Sequence, residues 1–173
     1  FYQLDIEMSY ATQEDVFAVV EDVMHGIFTE FSQGKDITPL PFPRLTFEEA
    51  MLKYGTDKPD LRIPLEIQDL SKMFKESDFR AFRGKTVRVI SVANLADKPR
   101  SFFDNLEERA KEEGAEGLAW VLVNEDLSLK GPIAKFLNEE TVKSILKTCS
   151  AENGHALFFY AHNDAKKVAK VLG

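Results

Sequence analysis

Polar side chains spaced two apart along an apolar stretch are the first candidates for chemistry in this sequence. In residues 1–10, FYQLDIEMSY, Tyr2, Leu4, Ile6 and Met8 take one side, and Gln3, Asp5, Glu7 and Ser9 take the other. Period two predicts a strand with one face in a core and one presenting polar groups. On an arbitrary strand that polar face is simply solvated. A second cluster is Asp57, Lys58, Asp60 and Arg62, four charges within six residues. Such a density reads first as a structural network of mutual pairs. Trp120 and Phe136 read as core residues, because an aromatic platform for a base needs exposure. Lys130-Gly131-Pro132 reads as a tight structural corner rather than a phosphate contact.

Familiar reactive arrangements are missing. Gly114-Ala115-Glu116-Gly117 lacks the lysine and hydroxyl that follow in a phosphate-binding loop. His25, His155 and His162 are scattered and Cys149 is the lone cysteine, so no zinc spacing exists and no metal site is expected. His155 and His162 flank a strand and are expected on its exposed ends. No nucleophile elbow or triad context appears.

Composition sets the bounds within which these residues act. The 173 residues are 44% hydrophobic and 29% charged, with 14 phenylalanines, enough for a real core. No apolar run reaches the roughly 18 residues of a membrane helix, and an unpaired cysteine fits a reducing cytosol. Residues 1–83 hold 9 Lys and Arg against 16 Asp and Glu, while residues 84–173 hold 13 of each. Neither half has the cationic excess of a general phosphate-binding surface. The opening Phe1-Tyr2-Gln3 reads as mid-strand, which suggests a piece excised from a longer protein.

The elements that must position these residues follow from periodicity and caps. Thr12 with Asp15 predicts a capping box opening a helix of about five turns that ends near Gly34. Val16, Val19, Val20, Val23 and Ile27, with Phe17, Met24, Phe28 and Phe31, give it a broad buried face. A proline-rich loop follows. Thr46 and Glu49 predict a second capping box on a short helix stopped by Gly55. Residues 65–67 are expected as a brief strand, and 69–74 as a short helix. From residue 86 the order is β-α-β-β-α-β-α: strand 86–92, a helix capped by Ser101 and closed by Gly114, strand 117–123, hairpin partner 127–129, a helix capped by Asn138, strand 156–160, and a last helix opened by Asp164. The fold class is α+β or α/β, with a split β-α-β, two-layer sandwich over 84–173 and helices on one face. Residues 1–83 form a separate segment that is not self-sufficient.

Two segments resemble known proteins. Residues 1–10 are similar to the second strand of motif 2 in bacterial-type aspartyl-tRNA synthetases of class II. Phe42-Pro43-Arg44-Leu45-Thr46-Phe47-Glu48-Glu49-Ala50-Met51 and Tyr54-Gly55-Thr56-Asp57-Lys58-Pro59-Asp60-Leu61-Arg62 resemble the segment that follows in that family. Gly114-Ala115-Glu116-Gly117-Leu118-Ala119-Trp120 and Leu129-Lys130-Gly131-Pro132-Ile133-Ala134-Lys135-Phe136 resemble the GAD domain inserted between motifs 2 and 3, with Leu157-Phe158-Phe159 in support.

The resemblance implies a domain division, with 1–83 a partial class II catalytic segment and 84–173 the GAD insertion. It implies that Gln3 and Asp5 face the aspartate substrate, where an anionic carboxylate and an acceptor amide suit an ammonium group. Glu7, Asp57, Lys58, Asp60 and Arg62 are placed at the rim of that site. The family activates L-aspartate with ATP and Mg²⁺ and transfers it to tRNA(Asp), as a cytoplasmic homodimer without membrane attachment. Its activating arginines lie on the first motif 2 strand and in motif 3, and it carries an OB-type anticodon domain and motif 1. This sequence has none of these, so it is expected to be inactive alone and to bind neither ATP nor Mg²⁺.

Two other readings follow from the GAD likeness. Such modules also serve as binding accessories in tRNA-dependent amidotransferases, against which residues 1–62 argue. Alternatively, the insertion braces the catalytic core without touching tRNA. A surface cluster of Lys130, Lys135, Lys143 and Lys147 would favour RNA contact near the acceptor arm, and their dispersal would favour bracing.

Overall fold

Seven consecutive β-strand residues, Ala156–His162, are apolar in nearly every position, and the larger part of the chain is arranged around them. A computed structural model describes residues 1–173, divided into two compact units, 1–45 and 46–173. The larger unit carries β1 (Gln68–Asp69), β2 (Thr86–Val92), β3 (Ala119–Val123), β4 (Leu129–Lys130) and β5 (Ala156–His162) in one antiparallel sheet of order β1-β2-β5-β3-β4. β5 pairs with β2 on one side, Val89 opposite Phe159, and with β3 on the other, Ala119 opposite Phe159. Strands β2 and β3 are therefore parallel to each other with β5 inserted between them, the split β-α-β arrangement anticipated from the element order.

The layering is fuller than a two-layer sandwich. Because side chains alternate along a strand, Leu157, Phe159 and Ala161 point to one side of the sheet and Ala156, Phe158 and Tyr160 to the other. The first set joins Val87, Val89, Val121 and Val123 in a core with Leu70, Phe74, Phe82 and Ile145, the last contributed by the helix Glu139–Thr148. The second set is covered by Phe103 from the helix Arg100–Glu112 and by Val168 from the helix Ala165–Leu172. Helices thus cover both faces, because β5 is buried on both. The segment 68–82 supplies an edge strand and the buried residues Leu70, Phe74 and Phe82, and the larger compact unit runs from Thr46 to Gly173.

Helices are numbered in chain order: α1 (Gln13–Phe31), α2 (Phe47–Tyr54), α3 (Arg100–Glu112), α4 (Glu139–Thr148) and α5 (Ala165–Leu172). Caps fall largely where the sequence puts them. Thr46 and Glu49 exchange bonds of 2.9 and 3.1 Å, Asn138 accepts from the Thr141 N–H, and Asp164 accepts from the Lys166 and Lys167 N–H groups. Helix α3 differs from expectation. It starts at Arg100 behind Pro99, whose carbonyl accepts from the Phe102 N–H, so Ser101 lies inside the first turn and caps nothing. Residues 71–76 form turns rather than a helix, and the short strand is 68–69 rather than 65–67.

The smaller unit departs further. Residues 1–8 form no strand and are exposed throughout. A strand's N–H and C=O groups need a neighbouring ladder, and no partner strand pairs with this segment. Helix α1 opens with its capping box, the Thr12 N–H donating to Asp15 Oδ2 at 2.8 Å. The proline-rich segment straps back along it. Phe42 N donates to Glu21 Oε1, and Arg44 pairs with Glu21 at 3.0 Å while its guanidinium lies 4.2 Å over Phe17. The expected buried face is not buried: Phe17, Val19 and Val23 are half-covered, and Val16, Val20, Met24, Ile27, Phe28 and Phe31 are exposed. One helix and a strap offer too few apolar neighbours to enclose it.

Gly55 ends α2 in the left-handed region at φ 70°, and a Cβ there would run into the Ala169 carbonyl of α5. Gly84 has φ 68° with open space around it. Gly84→Ala should therefore cost only the left-handed penalty of about 1–2 kcal/mol. Gly55→Ala should cost more, because α2 must also move off α5; urea unfolding midpoints of the two variants check this ordering.

Candidate functional site

The residues expected to carry chemistry are not gathered in one place. Gln3, Asp5 and Glu7 all lie exposed in the segment outside regular structure. Asp57, Lys58, Asp60 and Arg62 form two local pairs. Lys58 Nζ lies 2.9 Å from Asp57 Oδ2, and Arg62 forks onto Asp60, Nε to Oδ1 at 2.8 Å and Nη2 to Oδ2 at 2.6 Å. The Arg62 backbone N–H adds a third bond to Asp60 Oδ1 at 3.1 Å, so side chain and main chain clamp the same carboxylate. A bidentate fork of this kind fixes both side chains relative to each other, while the remaining N–H groups of the exposed guanidinium face solvent.

The histidines are better satisfied than strand-end residues would be. His155 Nδ1 and Ser91 Oγ share a hydrogen bond of 2.9 Å in a half-buried setting. His162 Nδ1 accepts from the Asp164 N–H at 2.9 Å, and its ring stacks on Tyr160. Cys149 is buried, and burial pushes its thiol up to about 12, which removes it as a nucleophile.

Trp120 is half-buried and stacks on Phe103 with ring centroids 4.3 Å apart. Phe136, expected in the core, is 45% exposed and stacks on Phe79. At the Lys130-Gly131-Pro132 corner, Gly131 has φ 151° and a Cβ would stand 2.7 Å from the Trp120 carbonyl. Only glycine lets this turn close onto β3. The four lysines weighed as an RNA surface do not form one set, and Lys135 borders the start of α4 beside Asn138 and Thr141. Lys130 sits opposite Leu122 in the sheet, on the α3 side, whereas Lys143 and Lys147 are on α4, which covers the other face.

The Arg62 fork holds the Asp60 carboxyl down at about 2, below its ordinary 3.8. A depressed acid contributes its pairing above the ordinary value and loses it as pH falls through the folded one. In an NMR titration Asp60 should stay ionised to about pH 2, and Arg62→Gln should return its midpoint toward 3.8.

Comparison with known proteins places the sequence in a family. Residues 79–172 match the GAD domain. Over the whole chain it is 52% identical to an aspartate–tRNA ligase of Streptomyces coelicolor, covering 29% of that protein, and 53% identical to that of Streptomyces avermitilis, again 29%. It is 47% identical to an aspartate–tRNA(Asp/Asn) ligase of Anaplasma marginale, of which it covers 30%. The chain thus spans less than a third of the length of these relatives. The matched region holds strands β2 to β5, helices α3 to α5 and the glycine corner of Gly131, and the chain belongs to the GAD domain family.

Proposed function

We propose that this chain serves an aspartate–tRNA ligase, as part of the catalytic segment over 1–83 and as the GAD insertion over 84–173. The observation that carries the reading is the extent of the likeness: it runs through residues 1–62 as well as the GAD region, at about half identity, in proteins named for that activity. An amidotransferase accessory module would have no use for residues 1–62, and those relatives give that alternative no support. In this reading the whole enzyme activates L-aspartate with ATP and passes it to tRNA(Asp), as a cytoplasmic homodimer.

Within that enzyme Gln3 and Asp5 receive the ammonium group of aspartate. A carboxylate offers two accepting oxygens and a charge, and an amide oxygen adds a third acceptor without charge repulsion. Glu7 borders this pocket, and Asp57, Lys58, Asp60 and Arg62 stiffen its rim through their two pairs. No group of three or more His, Cys, Asp or Glu side chains comes together here. The chain's share of the work is binding and orientation. The GAD module acts as an accessory, and the separation of Lys130 from Lys143 and Lys147 on opposite faces of the sheet argues against one broad electrostatic contact by that set.

The test replaces the corresponding segment of the Streptomyces coelicolor ligase with this chain. The chimera should keep aspartate-dependent pyrophosphate exchange and tRNA charging, while the isolated chain shows neither. Asp5→Asn in the chimera should lower kcat/KM for aspartate about 100-fold, the scale of one lost charge-assisted bond. A folded chimera without exchange, or Asp5→Asn without effect, contradicts the reading.

A further inference from the structure

A cavity of about 520 Å³ opens where the start of α3, the middle of β3 and the β4 corner meet. Its wall is apolar and aromatic: Phe103, Trp120 and Leu122. Its other functional groups are Lys98, Arg100 and Lys130, and no carboxylate lines it. The size falls within the ~300–1,000 Å³ of small-ligand sites, and a flat apolar wall beside a few placed charges is the usual composition of such sites.

The cations are available. Lys98 and Lys130 are exposed and make no ion pair, and Arg100 has only Asp104 at 3.7 Å, a weak surface contact. Lys98 Nζ lies 5.9 Å from the Phe102 ring, which leaves its charge unneutralised. The first turn of α3 contains no acidic residue and has no side-chain cap, so its end adds positive potential at the same mouth. In a sequence with a net charge of −7, three cations around one aromatic cavity form a local exception.

We propose that this cavity is a nucleotide site for single-stranded RNA, with the base against the Trp120–Phe103–Leu122 wall and flanking phosphates on Lys98, Arg100 and Lys130. Charge complementarity selects a polyanion, and the aromatic wall selects one with planar apolar groups. The cations come from two separate elements, the 98–100 segment and β4, which suits a phosphate on either side of one base better than a single terminal phosphate. Gly131 is part of the site: its turn lets β4 lie close to Trp120 and brings Lys130 to the mouth. The inference deepens the reading of the chain as part of a tRNA-charging enzyme and rests on it for the choice of RNA over other polyanions.

Trp120 is the only tryptophan, so its fluorescence reports on this wall, and the Lys98 and Lys130 variants assign a response to this cavity rather than to the neighbouring one that Trp120 also lines. The full 173-residue chain is titrated with a mixed-sequence hexaribonucleotide, with adenosine, with inorganic phosphate and with an acidic peptide containing phenylalanine. The hexaribonucleotide should change Trp120 emission saturably, with a log–log salt slope of about −1.4, as expected for the two phosphates flanking one base of a single strand. Adenosine and phosphate should each bind at least tenfold more weakly. Lys98→Ala with Lys130→Ala should weaken the oligonucleotide at least tenfold with an unchanged melting curve, since both ammonium groups lie outside the core. No fluorescence response, an unchanged affinity in the double variant, or an acidic peptide binding as tightly as the RNA would overturn the site. Failure of the chimera with oligonucleotide binding intact would instead reject the ligase reading and leave the cavity as an RNA site.

Discussion

Everything in the larger unit depends on one strand being buried on both faces. β5 lies between two parallel strands and is antiparallel to each, so every backbone group in its centre has a ladder partner. Its side chains then feed two cores at once. Phe159 is fully buried on one face among Val89, Val121 and Phe82, and Phe158 is buried on the other beside Phe103. Each such side chain contributes on the order of 1.5–3 kcal/mol from apolar burial. Two helices cover one face, and α4 with the 70–82 segment covers the other; neither layer would have a surface to dock on without β5. The same burial has a cost at one point. Arg88 and Tyr160 are cross-strand neighbours, and the Arg88 Nε and Tyr160 hydroxyl are both buried without a hydrogen-bond partner. Asp69 answers the Arg88 charge only at 3.8 Å.

Local signals in the sequence proved legible, and signals that depend on a distant partner did not. The capping boxes at Thr12 and Thr46, the Asn138 and Asp164 caps, and the stop at Gly55 are decided within four or five residues, so reading them needs nothing else. The order of strands and helices after residue 86 was readable for the same reason. Residues 1–10 alternate as well as any strand in the chain, yet alternation states only what a strand would bury if it had a neighbour. The apolar stripe of α1 has the same ambiguity. Ser101 looked like a cap because it precedes Phe102 and Phe103, but the Pro99 carbonyl had already closed the first turn.

The sites differ in the same way. The pairing of Asp57 with Lys58 and of Asp60 with Arg62 is between near neighbours and was visible as charge density. The aromatic cavity was not visible, because Lys98, Trp120 and Lys130 are far apart in sequence. They meet only through the register that sets Lys130 opposite Leu122 and through the stacking of Trp120 on Phe103. A lone lysine beside a Gly-Pro corner, read by itself, is a corner. The roles proposed for Gln3 and Asp5 come from resemblance, since nothing in their spacing distinguishes a ligand-binding face from a solvated one.

The central claim, that β5 is the element on which the larger unit is built, is tested most directly by native-state amide hydrogen exchange along the whole chain. The account predicts that the amides of residues 157–161 exchange only through global unfolding and show the same denaturant dependence as the unfolding transition itself. Residues 1–10 should exchange at rates close to those of an unstructured peptide. Exchange of the β5 amides through a local opening, at a free energy below that of α3 or α4, would contradict the account and make the helical layers, not the strand between them, the foundation of the fold.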